Sequence, residues 1–218
     1  AVSYFKWFAE EARRVYGEII PSPVPNKRIS VIKQPLGVVA AITPWNFPLS
    51  MVARKLGPAL AVGCTVVLRP SREAPLSSLE LIKLMDEIGF PKGVVNLLIG
   101  GTNDIVGSIM ESKTVRKITF TGSTDVGKIL VKQAADTLKR VSMELGGHAP
   151  FIVFEDADLD LAVEGAIKSK FSSAGQQCVC SNRIYVHETI YDEFARKFTE
   201  RSKALVVGDG IDESTNIG

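Results

Sequence analysis

Residues 37–48 read GVVAAITPWNFP, and this stretch decides the fold class. Its first half, residues 38–42, is a short run without polar side chains, typical of a strand buried on both faces of a parallel sheet. Pro44 and Pro48 then fix the course of the loop that follows the strand. Because open α/β sheets bind ligands at the carboxyl ends of their strands, the sequence predicts a ligand site at this loop.

Outward from this stretch, strand-like and helix-like segments alternate at short intervals. Strand patterns cover residues 65–68, 94–99, 117–120 and 141–145, and helical spacing of apolar residues covers 51–61, 76–87, 105–110 and 126–135. Strands that alternate with helices in this way predict βαβ units and a parallel sheet.

The segment ahead of residue 37 has a different pattern. A helical pattern over residues 2–16 stops at Gly17, which we expect to cap the helix, and a proline-rich turn follows at residues 21–25. Residues 28–34 alternate imperfectly, like a strand. This pattern fits either a mobile arm or an intersubunit strand.

Two glycines, Gly146 and Gly147, interrupt the alternation, which then begins again. Strand patterns return at residues 151–154 and 183–186, and helical patterns at residues 159–171 and 191–204. We therefore expect an α/β chain of two domains, residues 1–146 and residues 147–218. Because one pair of helices and two strands bury little core alone, we expect the second domain to be incomplete.

The composition argues against several classes of protein. The 218 residues are 45% hydrophobic and 23% charged, as in ordinary globular proteins. A net charge of +2 without a basic run predicts no nucleic-acid partner, and no apolar stretch is long enough to cross a membrane. Three cysteines predict a reducing compartment, here the cytoplasm, and the widely separated His148 and His187 predict no metal site.

Two candidate motifs follow predicted strands and could bind a ligand through fixed donors. The amide of Asn46, held between two prolines, could donate to an oxyanion, or it could satisfy carbonyls of its own turn. Residues 120–127 read FTGSTDVG, a strand, a glycine turn at Gly122 and a helix start. The helix start could bind a pyrophosphate, or Ser123 or Thr124 could simply cap the helix.

Two further motifs carry groups that could react. Glu144 ends a strand just before the two glycines, so it is either a general base or a surface glutamate. Cys178 lies on a loop, residues 175–181, after a flexible Ser-Ser-Ala-Gly stretch, so it is either a reactive thiol or a core cysteine. We assign Cys64, at the start of a buried strand, to packing.

Together and in this order, the four motifs resemble those of the aldehyde dehydrogenase superfamily. The sequence around the motifs looks like that of the succinate-semialdehyde dehydrogenase branch. The stretches that carry this likeness are ITPWNFP at 42–48, APFIVF at 149–154, DADLD at 156–160 and CVC at 178–180. The resemblance implies a Rossmann-like NAD(P)-binding domain over residues 1–146 with an oligomerisation arm at about 19–36. It also implies the beginning of a catalytic domain over residues 147–218, and a homo-oligomer. Family members are longer, so we expect an internal fragment with little or no activity of its own.

The resemblance also implies the chemistry. Cys178 would attack the carbonyl carbon of a small aldehyde, and Glu144 would activate the water that hydrolyses the resulting thioester. The oxyanion would be held by the Asn46 amide and the backbone N–H of Cys178. Cys178 and Cys180 would form a reversible oxidation switch, unless Cys180 merely packs. A non-catalytic relative that keeps the fold is the alternative from another class.

The resemblance finally implies a substrate and a cofactor. Arg54 matches an arginine that meets the substrate carboxylate, whereas Ser172 stands where this branch usually has a second arginine. Succinate semialdehyde is therefore our first expectation, and another short or hydroxylated aldehyde the alternative. Arginine at both positions 69 and 72 predicts NADP over NAD, unless Glu73 reaches the ribose or Arg72 points to solvent. The cofactor-binding residues implied are Thr43, Trp45, Asn46, Arg69, Ser71, Arg72, Gly122, Ser123 and Leu145.

Overall fold

The computed structural model describes residues 1–218, and the chain divides into two compact units, Ala1–Leu145 and Gly146–Gly218. The first unit is built on a five-stranded sheet in which every neighbouring pair of strands is parallel. The strands are β3 (Val38–Ile42), β4 (Thr65–Arg69), β5 (Val95–Leu97), β6 (Val115–Thr121) and β7 (Arg140–Glu144). The parallel sheet predicted from the sequence is therefore confirmed, with strand ends shifted by a residue or two.

Helices cover both faces of this sheet. The helices of the first unit are α1 (Val2–Glu11), α2 (Ser50–Ala61), α3 (Leu76–Glu87), α4 (Thr102–Glu111) and α5 (Thr124–Ala135). Successive side chains of a strand point to opposite faces, so Ala40 and Ile42 join one core with residues of α4 and α5. Ala41 joins the other core, with residues of α2 and α3.

The order of the strands in the sheet is β5-β4-β3-β6-β7. The chain therefore starts in the middle at β3, runs outward through β4 and β5, and then returns to the other side of β3 to form β6 and β7. The strand order reverses between β3 and β6. In open α/β sheets, ligands bind outside the carboxyl ends of the strands at such a reversal.

The segment ahead of the sheet differs from the sequence prediction. The first helix ends at Glu11, with a 3-10 turn at Ala12–Arg14, so the pattern over residues 2–16 overestimated its length. Gly17 does not cap the helix. It precedes an unpredicted strand, β1 (Glu18–Pro21), which pairs antiparallel with β2 (Arg28–Val31) across the proline-rich turn. Both strands are exposed along their whole length, so no burial pattern could reveal β1.

The second unit contains two parallel strands, β8 (Ala149–Val153) and β9 (Ser181–Val186), and two helices, α6 (Leu159–Phe171) and α7 (Tyr191–Lys203). Its core holds Val153, Val163, Ala166, Ile167 and Phe194, and the rings of Phe194 and Phe198 stack at 5.8 Å. Ile152 and Tyr185 are exposed on the two strands.

The boundary between the units, after Leu145, lies next to the one expected from the glycine pair. The roles expected of the two domains stay predictions. No helix anywhere in the chain is long and apolar enough to cross a membrane.

Candidate active site

The loop after β3 is anchored to the sheet at its first residue. The backbone N–H of Thr43 donates to the Arg69 carbonyl at the end of β4, at 3.2 Å. Thr43 is buried, and its hydroxyl has no hydrogen-bond partner in the protein. Asn46 is half-buried between the two loop prolines, and Trp45 is exposed. The loop thus brings Asn46 to the carboxyl end of the central strand.

The turn after β6 lies beside β3 at the same end of the sheet. The Ser123 hydroxyl caps α5 by accepting from the Val126 N–H at 3.4 Å, which confirms the cap that the sequence allowed. The Gly122 N–H donates to the Glu144 carbonyl at 3.1 Å, which ties the turn to β7. Leu145 packs against Gly127 of α5, where an added Cβ would lie 2.5 Å from a Leu145 methyl group.

A cavity of about 360 Å³ opens between α4 and α5. Ile42, Arg69 and Phe120 line it from the ends of three strands, and its helical walls are mostly apolar with a few polar groups, among them Thr102, Asn103 and Gln133. A concave, largely apolar pocket with a few fixed polar groups is typical of a small-molecule site. Sequence reasoning missed these helical residues, because nothing in their helical pattern marks a cavity.

The end of β4 carries the two arginines expected to select the cofactor. Arg69 Nη2 donates to Thr102 Oγ1 at 2.5 Å, and burial, followed by the nearby charge of Arg72, lowers the pKa of Arg69. The hydroxyl of the buried Ser71 donates to the Glu73 carboxylate, and this bond is the main cause of the lowered pKa of Glu73. Arg72 itself is exposed.

The last residue of β7 is Glu144, whose side chain is about half exposed. Its Oε1 lies 3.5 Å from Arg54 Nη2. The resemblance implies that Arg54 meets a substrate carboxylate. In this structure Arg54 contacts the Glu144 carboxylate, and its role toward a substrate stays a prediction.

The residue next to Arg54 is the buried Lys55, only 6% exposed, which sequence reasoning missed. Its Nζ donates to Thr119 Oγ1 at 3.0 Å. Burial lowers its pKa to about 8, against the opposing effect of Glu144 and with smaller contributions from Arg54 and Lys117. One signal was available, because Lys55 lies on the apolar face of α2 between Val52 and Leu56.

In the second unit, Cys178 is exposed and its loop is held from two sides. An added Cβ on Gly147 would collide with the Cys178 carbonyl, so this close approach requires glycine. The Gln177 side chain donates to the Ser172 carbonyl at 2.7 Å. Ser173 and Ala174, in the stretch expected to be flexible, adopt left-handed backbone conformations with φ of 51° and 55°.

The second cysteine of the loop differs from the first. Cys180 is buried, and its Sγ lies 3.6 Å from Asn182 Oδ1, within reach as a weak donor. All three cysteines are free thiols, and no group of three or more histidine, cysteine or carboxylate side chains could hold a metal ion.

Comparison with known proteins identifies the family. A model described as the aldehyde dehydrogenase family matches residues 1–218. The chain belongs to this family. It is 57% identical over 219 aligned positions to a probable NADP(+) succinate-semialdehyde dehydrogenase of Sinorhizobium fredii, and 53% identical over 218 to a glutarate-semialdehyde dehydrogenase of Pseudomonas putida. Each match covers 100% of this chain and 45% of the relative.

Solved structures match this aldehyde dehydrogenase chain equally well. A crystal structure of an NADP-dependent enzyme from E. coli superposes with a TM-score of 0.96 at 53% identity, covering 99% of this chain and 45% of that one. The expected truncated aldehyde dehydrogenase fold is confirmed, and the chain spans less than half the length of these relatives.

Proposed function

We propose that this chain is part of an NAD(P)-dependent aldehyde dehydrogenase that oxidises a short aldehyde bearing a carboxylate, with succinate semialdehyde as the first choice. The observation that carries the proposal is Cys178, an exposed thiol on a loop whose backbone lies against Gly147. An accessible cysteine on a held loop suits a nucleophile, whereas a core cysteine is inert.

In this proposal, the Cys178 thiolate attacks the aldehyde carbon and forms a thiohemiacetal. The Asn46 amide and the Cys178 backbone N–H stabilise the oxyanion, and one such donor contributes about 3 kcal/mol in the transition state. When bound, NAD(P)+ would accept the hydride that leaves the thiohemiacetal carbon, so that a thioester remains on Cys178. Glu144 then takes a proton from the water that attacks the thioester, and the carboxylate product leaves Cys178 as a thiol.

The first unit offers suitable contacts for the cofactor. The cavity between α4 and α5 has the size and apolar walls that an adenosine requires. The buried hydroxyls of Thr43 and Thr121, at the ends of β3 and β6, have no protein partner. Further residues proposed to bind the cofactor are Trp45, Asn46, Arg69, Ser71, Arg72, Gly122, Ser123 and Leu145.

The nucleophile is tested by Cys178→Ser in a protein that carries this chain at the full length of its relatives. We expect aldehyde oxidation to fall at least a thousandfold, since a serine hydroxyl is far less ionised than a thiol. The control is Cys64→Ser, at a buried cysteine beside β4. Unchanged oxidation by Cys178→Ser would overturn the assignment.

NADP is the proposed cofactor of choice, because arginines stand both at the end of β4, Arg69, and three residues later, at Arg72, where an arginine accommodates a 2′-phosphate. A charge-assisted contact from arginine to a phosphate contributes about 1.5–3 kcal/mol, or roughly tenfold to a hundredfold in affinity. We expect Arg72→Glu to remove the preference for NADP+ over NAD+ in dissociation constants. Arg140→Glu, at the opposite end of the sheet, is the matched control. A wild-type preference for NAD+ would contradict the proposal.

Arg54 is the residue proposed to bind the substrate carboxylate, to which its guanidinium would donate two parallel hydrogen bonds. Its present neighbour, Glu144, would have to yield that position to the substrate. The test compares kcat/KM for succinate semialdehyde, glutarate semialdehyde and butanal in wild type and Arg54→Met. We expect the variant to lose the two acidic substrates and keep butanal. Equal values for succinate semialdehyde and butanal in the wild type would show that Arg54 reads no carboxylate.

The redox switch between Cys178 and Cys180 belongs to the same proposal. Since Cys180 is buried and Cys178 exposed, a disulfide would require the loop to rearrange. We expect peroxide to inactivate the full-length enzyme and a dithiol to restore it, with restoration lost in Cys180→Ala. Reversible inactivation that persists in Cys180→Ala would exclude the disulfide.

We also propose that the exposed hairpin β1–β2 is the oligomerisation arm of a cytoplasmic homo-oligomer. Ile19 is 81% exposed and Ile29 and Val31 are also accessible, so the hairpin offers apolar side chains and strand edges to a second copy. Ile19→Lys should shift the full-length protein toward monomer in sedimentation. An unchanged oligomer would count against this role of the hairpin.

A further inference from the structure

One side-chain contact at the cofactor cavity joins two elements that are far apart in sequence. Arg69 is the last residue of β4, and Thr102 is the first residue of α4. Arg69 Nη2 donates to Thr102 Oγ1 at 2.5 Å, and both residues line the cavity of about 360 Å³. The contact therefore fixes the direction of the Arg69 side chain across the carboxyl end of the sheet.

The charges around this contact favour an anion. Arg72 lies three residues after Arg69 and its charge lowers the pKa of Arg69, whereas the Glu73 carboxylate raises it. The Ser71 hydroxyl engages the Glu73 carboxylate. Two guanidinium groups and one carboxylate that already accepts from Ser71 leave a net positive charge, which suits a phosphate dianion better than a neutral hydroxyl.

A guanidinium has five N–H donors, and Thr102 takes one of them. The others stay available to a ligand. An arginine that is already held loses less rotamer freedom when it binds, which is the general advantage of a preorganised site. The Thr102 hydroxyl holds Arg69 and leaves its other N–H donors unused. It would therefore raise the affinity of the site for a phosphate that accepts from these donors.

We propose that Thr102 is a positioning residue whose hydroxyl holds Arg69 in the orientation that receives the 2′-phosphate of NADP. This inference rests on the proposed cofactor preference. It assigns a specificity role to the start of α4, where no motif of the sequence pointed. Thr102 acts through Arg69 and has no catalytic part.

The test uses the two adenosine halves of the cofactors, 2′,5′-ADP and 5′-AMP, with calorimetric dissociation constants on the 218-residue chain. Thr102→Val keeps the shape of the side chain and removes the hydroxyl. We expect it to weaken 2′,5′-ADP about tenfold, as for one lost well-oriented charged contact, and to leave 5′-AMP within about twofold. Thr102→Ser should restore the wild-type ratio, and Thr114→Val, on the turn before β6, should not change it.

A second comparison separates positioning from a structural effect. In an Arg69→Met background, Thr102→Val should cause no further loss of 2′,5′-ADP affinity, because the group it positions is gone. If the wild type prefers 2′,5′-ADP and Thr102→Val leaves the ratio of the two dissociation constants unchanged, the role of Thr102 is overturned and the cofactor proposal stands. A wild type that binds both ligands equally overturns the cofactor proposal and this inference with it. Equal weakening of both ligands by Thr102→Val also overturns the inference.

Discussion

Among single residues, Lys55 occupies an environment that strongly disfavours its charge. Burial lowers its pKa to about 8 from 10.5, so between these values the unfolded chain binds a proton that the folded chain has released. Stability therefore rises with pH through this window. Below pH 8 Lys55 is protonated in both states. The folded state then carries the full cost of burying the charged ammonium, up to about 3 kcal/mol.

We therefore expect Lys55→Met to stabilise the chain at pH 7 by up to about 3 kcal/mol, less the lost hydrogen bond to Thr119. The gain should shrink toward zero by pH 10.5, the unfolded pKa. Urea denaturation of both proteins across this range gives the difference, in which other titrating groups cancel. A gain that stays constant with pH would show that Lys55 is not the titrating group.

Two glycines, Gly147 and Gly165, allow a test of how closely the Cys178 backbone packs against Gly147. At Gly147 a Cβ would meet the Cys178 carbonyl, a backbone atom that cannot turn away, so Gly147→Ala should cost about 1–3 kcal/mol. At Gly165, inside α6, a Cβ would meet the Phe151 ring at an ordinary 3.5 Å. Gly165→Ala should instead gain up to about 1 kcal/mol from helix propensity. Amide exchange over residues 146–218 measures both, and equal effects would refute the close approach.

Among single residues, those that motifs mark could be predicted from the sequence, and those that only tertiary contacts bring together could not. Cys178 and Glu144 stand beside unusual neighbours in the chain, so the sequence alone marks them. Thr102 could not be found in this way, because its partner Arg69 is 33 residues away. The contact of Arg54 with Glu144 is of the same kind, since it joins a side chain of α2 to the last residue of β7.

Among the secondary-structure elements, burial decided what the sequence could predict. All strands of the parallel sheet were expected. The buried strands β3, β4 and β6 carry the clearest apolar runs, and the more exposed β5 and β7 were found from their alternation with helices. The exposed β1 was missed and α1 was placed too long, because an element without buried residues carries only a weak periodicity. The equally exposed β2 was expected from its imperfect alternation alone. The ends of such exposed elements depend on the segments with which they pair, which the local sequence does not show.

Two helix caps give a prediction at the scale of elements. The Ser123 hydroxyl caps α5 and the Asp158 carboxylate caps α6, each by accepting a backbone N–H three residues on. Removing a cap costs about 1 kcal/mol, or roughly fivefold in local opening. Ser123→Ala should therefore speed amide exchange in α5 and leave α6 unchanged, and Asp158→Ala should do the reverse. Exchange that rises in both helices for either variant would contradict the assignment of each cap to its own unit.

For the whole molecule, cofactor binding and catalysis should separate in this chain. The first unit holds the five-stranded sheet and the cavity between α4 and α5, so the 218-residue chain should bind 2′,5′-ADP. The second unit exposes Ile152, Phe154 and Tyr185 on and beside its two strands. Apolar groups left open in this way indicate a surface that another element covers in an active enzyme.

We therefore expect the chain alone to form little or no NADPH from succinate semialdehyde and NADP+, while 2′,5′-ADP raises its melting temperature. Binding of 2′,5′-ADP is measured on the same sample. A misfolded chain would lose this binding as well as activity, whereas a folded but inactive chain would keep it. Cys178→Ser is the control for any residual signal. Steady NADPH formation that depends on Cys178 would show that residues 1–218 already contain everything the reaction needs.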